Sequence, residues 1–574
     1  MKRVFTIHGP YPFVRKALRE RGWVERFIKP EVKKRERSSK EEDNDHPLTT
    51  DNGNSSDSDD DGVCDAVCQD STTEADSGDG DTDNVYGIMS RMLRNANPSF
   101  IWTCRANTFD SRMLRKDQIY NHYTKANFTT KVGLLMNLRQ LPWYEDTDAN
   151  WFYPRCYRLS VDEEKFDFID DYRLTAAASV LKVTLQQLRP EVDTPSQSDE
   201  EDEGEEEQEG EDEENVPKQK KGGVVPTQVV QTSLTILDSF LSCLEHDDIE
   251  DGKEHFPPNL PEDTWNTFIQ QYYTLVHDCG TLSTDSDVDI DRCIDTLEQF
   301  KEAWPQCQID GTTNMWIVKP GAKSRGREIK VMNKLEDICK LVESTVVKKE
   351  GKWVVQKYIE DPLLIHNTKF DIRQWFLVTD WNPLTIWFYK DSYLRFCSQE
   401  FSLENFHEAI HLSNNSVQKN YNSPRSSNIP ANLMWHSKTF KEYLRSDGNG
   451  HMWESLVYSG MKQAVIYAME ASQDMIEGRK GSFELYGADF MLDTDLNPWL
   501  IEINSSPCMS PSTTITAEMC ASVLEDTMKV VLDRRSDKNC DTGRFELAFK
   551  QSTIHIPPYI GISLSVEGQA IHRP

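Results

Sequence analysis

Thr368-Lys369-Phe370-Asp371-Ile372-Arg373-Gln374-Trp375-Phe376-Leu377-Val378 decides how this chain is read. Its charged residues fall at 369, 371 and 373, with Phe370 and Ile372 between them. A period of two belongs to a strand whose successive side chains leave on opposite faces. The stretch therefore predicts a half-buried strand with Lys369, Asp371 and Arg373 facing one cleft.

A second stretch, Tyr486-Gly487-Ala488-Asp489-Phe490-Met491-Leu492, passes through the turn-rich 493–498 into Trp499-Leu500-Ile501-Glu502-Ile503-Asn504. This is a hairpin pattern with a six-residue connection. Pairing Leu492 with Trp499 sets Asp489 opposite Glu502, Cβ atoms about 5 Å apart, with Asn504 two residues along on the same face. The strand carrying Glu502 is too apolar for a solvated face. Two carboxylates and an amide oxygen are hard donors, suited to Mg²⁺ held with nucleotide phosphates better than to Zn²⁺. Without a cation the paired carboxylates would repel each other.

Outward from these stretches, further motifs recur in order: Gln118-Ile-Tyr-Asn121-His122-Tyr, Thr130-Lys131-Val-Gly-Leu, Tyr153-Pro-Arg155-Cys-Tyr, Trp316-Ile-Val-Lys319-Pro-Gly, Val354-Val-Gln356-Lys357-Tyr358-Ile359, Ser392-Tyr-Leu-Arg395-Phe and His411-Leu-Ser413-Asn414. With them the chain resembles the tubulin tyrosine ligase-like family over most of residues 84–535, and within it looks most like the tubulin monoglycylases. The resemblance implies an α/β (α+β) ATP-grasp-type ligase of three consecutive subdomains, with nucleotide between the middle and C-terminal ones. The expected division is an N-terminal α/β domain at 1–128, a central ATP-grasp domain at 129–368, a C-terminal catalytic domain at 369–535 and a tail at 536–574.

The same resemblance implies the chemistry. ATP phosphorylates a glutamate side chain of a tubulin tail, and the α-amine of glycine attacks the acylphosphate to leave an isopeptide bond, ADP and phosphate. Such transfer depends on positioning and electrostatics more than on a nucleophile. By resemblance, two Mg²⁺ ions sit on Asp489, Glu502 and Asn504. Lys131 and Lys319 meet phosphate oxygens, Asp371 with Ser413 or Asn414 lies near the ribose, and Gln356, Lys357, Tyr358 and Ile359 form the adenine edge. Lys369, Arg373 and Arg395 are the catalytic cations, Lys369 also meeting the nucleotide and the two guanidinium forks matching phosphoryl oxygens bidentately. Residues 321–328, including Ser324, Arg325 and Gly326, resemble the phosphate-covering loop. The family pattern expects glycine where Glu328 stands, because glycine tolerates positive φ and close backbone approach.

No Gly-x4-Gly-Lys-Ser/Thr loop and no Gly-x-Gly-x-x-Gly turn occurs, so a nucleotide site here is of another type. The thirteen histidines lack metal-like spacing, and His122 reads as a packing or hydrogen-bonding residue rather than a ligand.

At 574 residues the chain has room for two or three domains. Its net charge of −32 is concentrated: residues 41–83 carry sixteen acids and residues 199–214 thirteen, neither with any Lys or Arg. Such runs bury no apolar surface and predict disordered insertions at 41–83 and about 190–225. Solvated spacers are the plain reading, and competition with acidic tubulin tails is the alternative. The first forty residues run the other way, with thirteen Lys or Arg against four Glu, a patch suited to the acidic microtubule surface. Nucleic acid is a weaker alternative, since no zinc-finger or RNA-recognition signature accompanies it.

The thirteen cysteines form no Cys-x2-Cys pair, and no signal peptide or membrane-length apolar run occurs. The expectation is a reduced cytoplasmic protein on the cytoskeleton, with cilium and axoneme added by resemblance. It would be monomeric and use ATP, free glycine and tubulin, with no membrane or nucleic-acid partner. Two rival readings stay open: a glutamylase of the same family, sharing the phosphoryl machinery, and a catalytically weak microtubule-binding scaffold.

Overall fold

The structure is a computed structural model describing residues 3–27, 82–188, 222–245, 256–283, 288–321, 326–343, 353–421, 429 and 433–552. The acidic insertions lie almost wholly outside the described residues, as do Ser324 and Arg325. At their margins the expectation of disorder is corrected. A helix spans Thr82–Met92, continued by the apolar Val85, Ile88 and Met89 beyond the first insertion, and Val224–Val225 forms a short strand at the end of the second.

Near the N-terminus, β1 (Val4–Ile7), β2 (Val24–Glu25), β3 (Phe100–Trp102) and β4 (Ile119–Tyr120) form a parallel sheet in the order β2-β1-β3-β4. All four residues of β1 are buried, as a parallel strand covered on both faces requires. The helix Pro12–Glu20 makes the crossover from β1 to β2.

Next come β5 (Cys156–Arg158), the short ribbon β6 (Val224–Val225) with β7 (Thr281–Leu282), and then β8 (Trp316–Pro320), β9 (Lys330–Met332) and β10 (Trp353–Lys357). Strands β5, β10, β8 and β9 form an antiparallel sheet in that order. Trp316, Val318, Trp353 and Val355 alternate onto one face and pack with the helices Asp162–Leu188, Gln228–Glu245, Glu262–Tyr272 and Ile290–Ala303. The intervening Ile317, Lys319, Val354 and Gln356 are left to the other face, where the cleft lies.

The third sheet holds β11 (Leu364–Ile365), β12 (Thr368–Trp381), β13 (Leu384–Phe396), β14 (Met434–His436), β15 (Glu484–Leu492), β16 (Pro498–Ser505) and β17 (Phe545–Lys550). Its main path runs β14-β13-β12-β15-β16. Phe370, Ile372, Phe376 and Val378 of β12 join a core with Phe128, Leu134 and the helix Ser459–Glu470. Trp375 and Leu377 join another with β1, the helix Pro12–Glu20 and the helix Thr514–Met528. The sheet is thus covered on both faces, and its charged first half opens on the cleft.

Strand β17 pairs with β13 from Thr385–Lys550 to Tyr389–Phe545. The tail expected at 536–574 therefore contains an edge strand. Phe545-Glu-Leu-Ala-Phe-Lys550 is short and half-exposed, and the unpaired edge of β13 rather than its own periodicity gives it a place.

Candidate active site

The predicted strand is β12, and its odd positions carry the predicted charges. Hairpin β15–β16 brings Asp489 opposite Glu502, but by a different register. Leu492 pairs with Pro498 and Met491 with Trp499, so the connection is five residues rather than six. A bulge beside Asp489 then inserts one residue on β16 and cancels the slip. The carboxylates meet because two departures from the expected register offset each other.

One cleft gathers most of the predicted residues. From β8 and β10 come Lys319, Gln356, Lys357 and the following Tyr358 and Ile359. The start of the helix Lys131–Leu138 gives Lys131, and Gly326 closes one end. The third sheet supplies Lys369, Asp371, Asp489, Glu502 and Asn504, and the turn after the short helix Glu408–His411 gives Ser413 and Asn414. The lining also includes Tyr153, Cys156, His411, Met491 and Ile501, to which the sequence reading gave no lining role.

Lys319 Nζ donates to Gln356 Oε1 at 2.6 Å, and Gln356 Nε2 donates to the carbonyl of Pro154 at 3.1 Å. Burial lowers the Lys319 pKa, Glu502 opposes that shift and Lys131 adds to it, so the three charges share one electrostatic environment. Lys357 lines the cleft, but not through its charge. Its ammonium points out of the cleft into a buried cage, donating to Glu360 Oε1 at 2.5 Å and the carbonyl of Met315 at 3.1 Å. A buried ammonium takes the nearest carboxylate and carbonyls, which leaves the backbone of Lys357 for the cleft.

The arginines also depart from the simple picture of three charges on one face. Arg373 grips Asp489 with Nε and Nη2, the latter 3.0 Å from Oδ2. Arg395 holds Asp371 through Nε at 2.7 Å and Nη2 at 2.6 Å, and Ser413 Oγ also donates to Asp371. Opposite charges buried side by side pair off, so both guanidinium groups sit behind the carboxylates rather than lining the space. Gly487 makes the approach of Arg373 possible, since a Cβ there would stand 3.1 Å from Arg373 Cδ and 3.2 Å from Pro507 Cβ. With both arginines beside it, the Asp489 carboxyl is held below the usual range although burial alone would raise it.

The expected repulsion between Asp489 and Glu502 is relieved in the same way. Asn504 Nδ2 donates to Glu502 Oε1 at 3.1 Å and to Asp489 Oδ2 at 3.4 Å. No group of three His, Cys, Asp or Glu suited to a metal occurs among the described residues. Two carboxylates beside an amide, all lining the cleft, nevertheless fit Mg²⁺, which takes few protein ligands and keeps water in the rest of its octahedron. A half-turn of the Asn504 amide would offer Oδ1 in place of Nδ2.

Glu328 takes φ +60°, the left-handed conformation for which glycine was expected, and its side chain is exposed rather than part of the cleft lining. The backbone feature is thus kept without placing a carboxylate among the cations. His122 is structural as read: Nδ1 lies 3.0 Å from Glu484 and Nε2 2.9 Å from the carbonyl of Thr103, all buried.

Comparison with known proteins identifies the family. The model of the tubulin-tyrosine ligase family matches residues 253–539. The chain is 46% identical to the tubulin monoglycylase TTLL3 of Danio rerio, over 100% of its own length and 72% of the relative's. It is 45% identical to the protein monoglycylase TTLL8 of Mus musculus, over 100% of the chain and 66% of that protein. To the tubulin glycylase 3A of Drosophila melanogaster it is 38% identical, over 84% of the chain and 47% of the relative.

Proposed function

The chain belongs to the tubulin-tyrosine ligase family, and from that premise we propose that it is an ATP-dependent tubulin monoglycylase, attaching the first glycine to glutamate side chains of tubulin tails. The observation that carries this reading is the single cleft in which Lys319, Lys369, Asp489, Glu502 and Asn504 converge, in a chain so similar to named glycylases.

The proposed architecture is an ATP-grasp arrangement of three consecutive units, 1–128, 129–368 and 369–535, with nucleotide held between the second and third. It is supported by a cleft lined by β8 and β10 on one side and by β12, β15 and β16 on the other. Lys131 and Lys319 bind phosphate oxygens, and Gly326 lines the same cleft beside Asn414. The backbone of Lys357 and Ile359 edges the base. Asp371, Ser413 and Asn414 take the ribose side. Asp489, Glu502 and Asn504 hold Mg²⁺, two ions in the full reading. The metal supplies positive charge to the phosphates and raises no nucleophile.

Arg373 and Arg395 stabilise the charge passed to the acceptor. The γ-phosphoryl group goes to an acceptor carboxylate oxygen as ADP leaves. The glycine amine then forms the C–N bond and gives up a proton as phosphate departs. Excluding water protects that acylphosphate from hydrolysis. The partners of the proposal are ATP, free glycine and the acidic tails of microtubules, with the protein acting as a monomer on the cytoskeleton, in cilium and axoneme.

The test is ligation of radiolabelled glycine, glutamate or tyrosine, each alone, onto microtubules with ATP and Mg²⁺, using Glu502→Gln as the blank. Glycine-only incorporation is expected. Glutamate incorporation would make the protein a glutamylase, and ATP binding without any incorporation would make it a scaffold.

A further inference from the structure

Lys369 lines the cleft yet has no carboxylate within ion-pair distance among the described residues, so neutral groups hold its ammonium. Nζ donates to Tyr358 Oη at 2.9 Å and to the carbonyl of His411 at 2.8 Å, and it lies 4.3 Å from the Tyr358 ring centroid. Tyr358 Oη is in turn 2.8 Å from His411 Nδ1, and His411 Nε2 is 2.7 Å from the carbonyl of Asn405. All three side chains are buried.

The donors and acceptors in this chain are fixed by elimination. A carbonyl only accepts, so His411 Nε2 carries the hydrogen it gives to Asn405. Burial, with the Lys369 ammonium adding to it, holds the His411 pKa down to about 4, so the ring is neutral and Nδ1 accepts. Tyr358 must then give its hydroxyl hydrogen to Nδ1, which turns an oxygen lone pair toward Lys369. An ammonium has three N–H bonds, and two are now committed. The third is left for the cleft.

We propose that His411 is a positioning residue for the nucleotide site: by accepting from Tyr358 it orients that hydroxyl as an acceptor for Lys369, and so aims the remaining N–H of Lys369 at the bound nucleotide. His411 does not itself touch the nucleotide. The inference rests on the reading of this cleft as an ATP site.

The required property is an acceptor where Nδ1 stands. His411→Asn restores one, because an asparagine oxygen falls close to the position of Nδ1, whereas His411→Phe keeps the ring but offers none. Phenylalanine suits a place already beside Phe401 and Phe406. ATP affinity would be measured by calorimetry on the full chain, together with KM and kcat for glycine ligation and thermal melting of each variant.

His411→Phe and Tyr358→Phe are each expected to weaken ATP binding about tenfold. His411→Asn should stay within about threefold of the unaltered protein, and the double Tyr358→Phe/His411→Phe should be no worse than either single change. For His411→Phe the loss should fall on the KM for ATP more than on kcat at saturating ATP. Equal damage from Asn and Phe at 411, or additive losses in the double variant, would overturn the proposal. Failure of the unaltered protein to bind ATP would instead overturn the nucleotide reading beneath it.

Discussion

Arg395 Nη2 stands 2.9 Å from Asp489 Oδ2 while also 2.6 Å from Asp371 Oδ2, so a single guanidinium ties the proposed metal ligand to the carboxylate proposed for the ribose. Any ligand that draws Arg395 forward acts on both. Arg395→Ala should therefore lower kcat by about 10²–10³, the usual cost of removing one preorganised charge from a transition state, while ATP affinity moves much less. Melting should fall as well, because two buried carboxylates lose a partner. Calorimetric ATP binding beside steady-state ligation separates the effects, and a rise in the ATP dissociation constant with kcat intact would contradict the role.

Glu502→Gln tests the metal reading with little change of shape. An amide oxygen at 502 can still accept from Asn504 Nδ2, now 3.1 Å from Glu502 Oε1. The fold should hold to within about 1 kcal/mol, as for a change that leaves no buried group unpaired. Ligation should vanish, and Mn²⁺ binding followed by electron paramagnetic resonance should weaken by at least about tenfold through loss of one ligand charge. Unchanged Mn²⁺ affinity would remove Glu502 from the ligand set.

Burial lowers the Lys369 pKa from 10.5 to about 8, with Cys397 and Asp371 opposing the shift. Between pH 8 and 10.5 the unfolded chain keeps a proton at this site that the folded protein has shed. The lysine therefore disfavours the fold at and below pH 8, and that penalty is relieved as pH rises, by up to about 3 kcal/mol. Nucleotide binding should move the opposite way across the same window, since the phosphates lose a cation. Denaturant melts and ATP titrations from pH 7 to 10 check both slopes, and Lys369→Met should flatten each.

The charged face of β12 was legible because a period of two survives any packing, and each residue there announces its chemistry. Its partners were not. Asp489 faces Glu502 through a five-residue connection and a bulge, and neither is written in an apolar-polar alternation. Glu328 was legible as a departure from glycine, but its φ of +60° and outward side chain are properties of the fold. His411 lay in a quoted motif without a role, since the orientation of its ring depends on Asn405 and Tyr358 together.

Arg155 is the clearest residue of this kind, visible in Tyr153-Pro-Arg155 but explained only by partners 16 and 155 positions away in the chain. Nε lies 2.6 Å from Asp171, Nη1 2.6 Å from Asp310, and Nη2 2.9 Å from Thr175 Oγ1, with the guanidinium over Trp304 and Trp316. Its own carbonyl accepts from the Lys357 amide at 2.9 Å, and the neighbouring Pro154 carbonyl accepts from Gln356. The fork therefore staples the helical layer to the strand that edges the cleft. A lysine keeps the charge but cannot span both aspartates and the threonine in one plane. Arg155→Lys should cost roughly 2–4 kcal/mol in denaturant unfolding, toward the range for breaking a buried pair. Because Gln356 on that strand accepts from Lys319 Nζ at 2.6 Å, ATP affinity should also fall several-fold at temperatures where the variant is fully folded. Equal stability with unchanged ATP binding would show that Tyr153-Pro-Arg155 is held by its backbone alone.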